Sequence, residues 1–112
     1  MQTGLTFGDA LEVAQQGKLI AREGWNGKGM FVFMRPADEI PVSAIPNIKS
    51  LPEAVKVWID KNLNDKESRG ETGLTAVKFT AYLCMKAADN SIVNGWLASQ
   101  TDMLANDWCI LD

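Results

Sequence analysis

Lys18-Leu19-Ile20-Ala21-Arg22-Glu23, Gly24-Trp25-Asn26-Gly27-Lys28-Gly29 and Met30-Phe31-Val32-Phe33-Met34-Arg35 follow one another in the chain, and the fold turns on how they are read. The outer runs are apolar enough to be strands. The stretch between them holds an Asn-Gly step, the strongest short-range hairpin signal. It is longer than a tight two-residue turn, so part of this loop is expected to stand free.

Upstream, Thr6-Phe7-Gly8-Asp9 reads as a helix start, with Thr6 as N-cap and Asp9 in the capping-box position. Phe7, Ala10, Leu11 and Ala14 recur at helical spacing and give one apolar face. Gly17 then supplies a left-handed stop. Downstream, four prolines between positions 36 and 52 leave room only for short edge strands. Ser50 and Glu53 have capping-box spacing and predict an amphipathic helix with Leu51, Val55, Trp58, Ile59 and Leu63 along one face. Residues 64–73 carry mixed charge and read as a solvated connector.

Residues 75–87, rich in Thr, Val, Phe and Tyr, read as one strand. Asp89-Asn90 is a turn, and residues 91–97 return antiparallel. Ser99-Gln100-Thr101-Asp102 is a further capping box that opens a short helix to Asn106, and residues 108–111 close the chain as a strand. This order predicts an α+β fold: a small antiparallel sheet with short helices packed at its side. At 112 residues the chain is expected to be a single domain, 1–112, with a helical insertion at about 47–73. So small a domain gains core by assembling as a homo-oligomer.

Composition narrows the function. A net charge of −3 disfavours duplex nucleic acid, whose binding rests on clustered Lys and Arg. No histidine is present, which removes Ser-His and Cys-His nucleophile pairs, the usual neutral-pH proton shuttle and the commonest zinc ligand. No Asp/Glu pair sits in a recognisable catalytic motif, so the expectation is a protein that is not an enzyme and uses no cofactor or metal. Nothing resembles a signal peptide or a membrane span, which predicts a cytoplasmic protein. Cys84 and Cys109 have apolar neighbours and read as small buried thiols.

Two segments concentrate polar, aromatic and glycine residues beyond what a fold requires. In the hairpin loop, glycines including Gly27 leave amides open to a phosphate, Arg22 and Lys28 add positive charge, and Trp25 offers a face for a base. The same loop also reads as a glycine-rich hairpin whose Trp25 folds back onto the core, and composition alone favours that plainer reading. In Gly95-Trp96-Leu97-Ala98-Ser99-Gln100-Thr101-Asp102, Trp96 precedes a helix start where Ser99, Gln100 and Thr101 supply donors. Taken alone, the segment is better read as an ordinary N-cap beside a core tryptophan. Trp58 and Trp108 read as core residues.

Taken in order, residues 6–11, 22–30 and 96–108 resemble the phage-encoded Thoeris anti-defence family two, small proteins that act as sponges for immune signals. The resemblance implies a homotetramer in the infected bacterial host that sequesters a cyclic ADP-ribose isomer, of the glycocyclic ADP-ribose type, made by a TIR-domain defence protein. It implies an intersubunit pocket in which a base stacks on tryptophans, and Trp25 and Trp96 hold those motif positions. The ligand-binding set expected here is Arg22, Trp25, Asn26, Gly27, Lys28, Trp96, Ser99, Gln100 and Thr101. Cyclic dinucleotides in additional sites are a further implied partner. The rival reading is a protein–protein inhibitor module that uses its tryptophans as hot spots on a host enzyme; a carboxylate-dependent nucleotide hydrolase is the third.

Overall fold

The hairpin forms. In a computed structural model that describes residues 2–25, 27–63 and 76–111, β1 (Leu19–Arg22) and β2 (Phe31–Arg35) pair antiparallel with Ile20 opposite Val32. Around them the sheet grows to five strands in the order β6-β5-β2-β1-β7, every pairing antiparallel. Here β5 is Tyr82–Lys86, β6 is Ile92–Asn94 and β7 is Trp108–Leu111.

Strand alternation sorts the side chains. Ile20, Val32, Met85 and Trp108 share one face, and helix α1 (Phe7–Ala14) packs there through the buried Ala10 and Ala14. Two alanines let the helix come close. Thr6 caps it, its hydroxyl accepting from the Asp9 amide at 3.1 Å, and Gly17 closes it at φ +94°. The opposite face carries Ala21, Cys109, Phe31 and Phe33, with Arg35 stacked 5.4 Å over the Tyr82 ring. Both thiols are free and buried. The outer edge of β7 is covered by the N-terminal segment: Leu5 and Trp108 exchange backbone bonds of 2.9 and 3.1 Å, and the Ile110 amide donates to Gln2. The other edge, β6, stays short.

The chain divides into two compact units, residues 1–36 with 81–112, and residues 37–80. The second holds β3 (Asp38–Pro41) paired antiparallel with β4 (Ala76–Phe79), a 3-10 helix (Val42–Asn47) and α2 (Glu53–Leu63). Among its described residues Val42, Ile45 and Ile59 are buried. Among the described residues no helix is long and apolar enough to cross a membrane.

Three expectations are corrected. Residues 75–87 are not one strand, since the run breaks at Thr80-Ala81 into β4, which pairs with β3, and β5, which pairs with β2. Strand propensity is continuous through it, but pairing partner is a long-range choice. The Ser50 cap is not used: α2 starts at Glu53, and the Pro52 carbonyl accepts from the Val55 and Lys56 amides, because a proline just before the first turn has no amide to lose. The apolar stripe of α2 is not a core stripe either. Ile59 is buried, while Val55 and Trp58 are 40% and 55% exposed. Residues 64–75, where the solvated connector was expected, lie outside the described residues.

Candidate functional site: three tryptophans and an ion-pair knot

Trp108 opens β7 and is fully buried beneath α1. Its indole N–H needs a partner there and donates to the Asp102 carbonyl at 2.8 Å. Trp25 and Trp96, both half-buried, pack against it with ring centroids 5.4 and 6.4 Å away. They also meet each other at 6.3 Å with the planes 84° apart. All three contacts are edge-to-face, the arrangement ring quadrupoles favour. The Trp25 ring folds back onto the core and keeps part of its surface outside.

The loops that carry these rings are tied by Arg22. Its Nε donates to Asp107 Oδ1 at 2.9 Å and its Nη1 to Asp102 Oδ1 at 2.8 Å, with a longer Nη2 bond to Asp107. Asp107 also accepts from the Gly24 amide at 2.9 Å, and its backbone carbonyl accepts from the Glu23 amide. Asp102 completes a capping box with Ser99 at the start of α3 (Gln100–Leu104). The side chains of Arg22 and Asp102 are each only 16% exposed, so solvent screens their pair less than it would a surface pair.

The electrostatics follow. Hydrogen bonds from Arg22 and the Gly24 amide outweigh burial and hold Asp107 below its ordinary carboxylate value. Burial pushes Asp102 up, but bonds from Arg22 and Ser99 win and its net displacement is downward. The same bonds raise Arg22. Burial, then the Glu23 and Asp107 carboxylates, push the Cys109 thiol up and keep it protonated.

Beside the knot lies an open groove of about 290 Å³. Ala21, Cys109 and Leu111 form its apolar floor, Trp25 a wall, and Gly27, Lys28 and Gly29 a rim. Gly27 and Gly29 have φ of +68° and +75°, a conformation the loop obtains because both are glycine. The Lys86 ammonium donates to the Gly29 carbonyl at 3.0 Å and pins the rim to β5. At Gly24 a side chain would crowd the knot, since a Cβ would stand 2.9 Å from Asp107 Oδ2 and that carboxylate would have to shift.

Of the expected ligand set, Arg22, Trp25, Gly27 and Lys28 line the groove, and Trp96 joins it only through its contact with Trp25. Ser99 spends its hydroxyl on the capping box, Gln100 and Thr101 are exposed on the first turn of α3, and none of the three lines the groove. Asn26 lies outside the described residues. Sequence reasoning missed Asp107 and the second role of Asp102. Their partner Arg22 stands 85 and 80 positions away, a separation with no local signature. Among the described residues no group of three or more His, Cys, Asp or Glu could hold a metal ion.

Fold and site define a small α+β protein built around an indole cluster, with a groove at the loop end of its first hairpin. The family profile of the Thoeris anti-defense 2-like domain matches residues 5–111. Thoeris anti-defense 2 of Bacillus phage SP01 is 34% identical over 111 residues, covering 99% of this chain and 99% of that protein. The chain belongs to the Thoeris anti-defense 2-like family.

Proposed function

We propose that the protein counters Thoeris defence as a sponge: it sequesters a cyclic ADP-ribose isomer of the glycocyclic type without altering it, and so starves the defence effector of its signal. The observation that carries this reading is the Trp25–Trp96 pair, half-buried and backed by Trp108, next to a glycine-rimmed groove. Trp25 suits stacking of an adenine base, and Lys28 at the rim suits a pyrophosphate. Ser99, Gln100 and Thr101 belong to the proposed contact set through a neighbouring subunit, and Asn26 through the loop itself. Sequestration asks for no acid, base or nucleophile, so a chain without histidine loses nothing.

A groove of about 290 Å³ in one chain sits at the low end of the roughly 300–1,000 Å³ typical of small-molecule pockets. That fits a pocket completed by a second copy, and a homotetramer acting in the cytoplasm of the infected host is part of the proposal. The test is to incubate the protein with glycocyclic ADP-ribose, denature it by heat and assay what is released. Intact signal supports the sponge. Loss of signal points to hydrolysis, and absence of capture points to a protein–protein inhibitor.

A further inference from the structure

Arg22 is the residue a reader would assign to an anionic ligand, and its surroundings argue otherwise. Three of its guanidinium nitrogens are already donating to Asp102 and Asp107. Two carboxylates against one guanidinium leave the knot net negative, so a phosphate approaching it meets like charge. The bonds of the knot lead to the indoles. Gly24, held by Asp107, is the residue before Trp25. The Asp102 carbonyl takes the Trp108 indole N–H, and the Asp102 carboxylate caps Ser99, three residues after Trp96.

We infer that Arg22 and Asp107 are positioning residues, which set the mutual orientation of Trp25 and Trp96 without touching ligand. The binding part of this inference rests on the sponge reading above; the orientation part does not. An isolated ion pair would stabilise one loop. This one joins the loop after β1 to the turn before β7 and the start of α3, and the Asp107 carboxylate sits close against Gly24.

Asp107→Asn tests it. The substitution keeps the shape but turns one acceptor into a donor that must face either Arg22 or the Gly24 amide. In ligand-free protein with a cooperative melt, the near-ultraviolet circular dichroism of the packed indoles should collapse. Calorimetric capture of glycocyclic ADP-ribose should weaken about tenfold, the loss expected from breaking a charge-assisted bond. Arg22→Lys, which keeps the charge and loses the fork, should do the same. Thr6→Ala, which only uncaps α1, should lower the melting temperature and change neither readout.

If Arg22 touches ligand directly, Asp107→Asn releases it and capture tightens, which overturns the inference. An unchanged near-ultraviolet spectrum in both knot variants overturns it too. Should Asp107→Asn not fold, Arg22→Lys decides on the same spectrum. If wild-type protein captures no glycocyclic ADP-ribose, the sponge reading falls, while the ligand-free spectra still decide whether the knot orients the rings.

Discussion

Trp25 lies 5.4 Å from the fully buried Trp108 and also walls the groove, so deleting its ring removes a core contact together with a stacking surface. Trp25→Ala is expected to lower stability by about 2–3 kcal/mol, less than a full core deletion. Capture should weaken by about tenfold or more. Trp108→Ala removes a ring at 0% exposure and leaves the Asp102 carbonyl only its 3.4 Å bond from the Ala105 amide, and should cost about 3–5 kcal/mol. Thermal melts beside calorimetric titrations separate the two: Trp108→Ala binding near wild type at low temperature with no loss of stability would contradict this packing. The thiols give a third check at this scale. Cys84 is fully buried and Cys109 is held protonated, so a thiol reagent should react slowly with native protein and fast once urea unfolds it.

Where a helix begins from a local signal, the sequence was legible. Thr6 and Ser99 cap α1 and α3 as read, because a hydroxyl reaching an amide three residues on requires only its own turn. Ser50 offered the same spacing and lost to Pro52. The knot makes a prediction that belongs to these elements. Asp102 and Asp107 lie below the ordinary carboxylate value of 3.8 in the folded state, so the unfolded chain takes up protons first as pH falls. Their contribution is full above that value and disappears as pH drops through the folded values. Urea midpoints between about pH 6 and about pH 2 should therefore fall on the acid side, and Asp107→Asn should flatten that fall. A variant slope equal to wild type would mean that the carboxylate contributes nothing to stability.

At the scale of the whole molecule, much apolar surface remains outside. Leu97 and Leu104 are 89% and 80% exposed on either side of the Ser99 cap, and Trp58 is 55% exposed on α2. Association of chains is one way to cover such side chains. Light scattering at micromolar concentration should give a mass well above the 12.3 kDa of one chain, with a tetramer expected. A monomer throughout that range would remove the basis for a pocket shared between subunits.

The hairpin of β1 and β2, the two hydroxyl-capped helices, the turn at Asp89-Asn90 and the α+β class were determined by the sequence alone, because each depends on bonds or alternation within a few neighbouring residues. The packing of Trp108 was equally readable from its apolar strand. Only the tertiary structure divided residues 75–87 between two sheets, left Trp58 outside and turned Arg22 from an open cation into the centre of a knot. Each of these depends on groups distant in the chain, and neither the helical nor the strand period carries information about what will stand opposite.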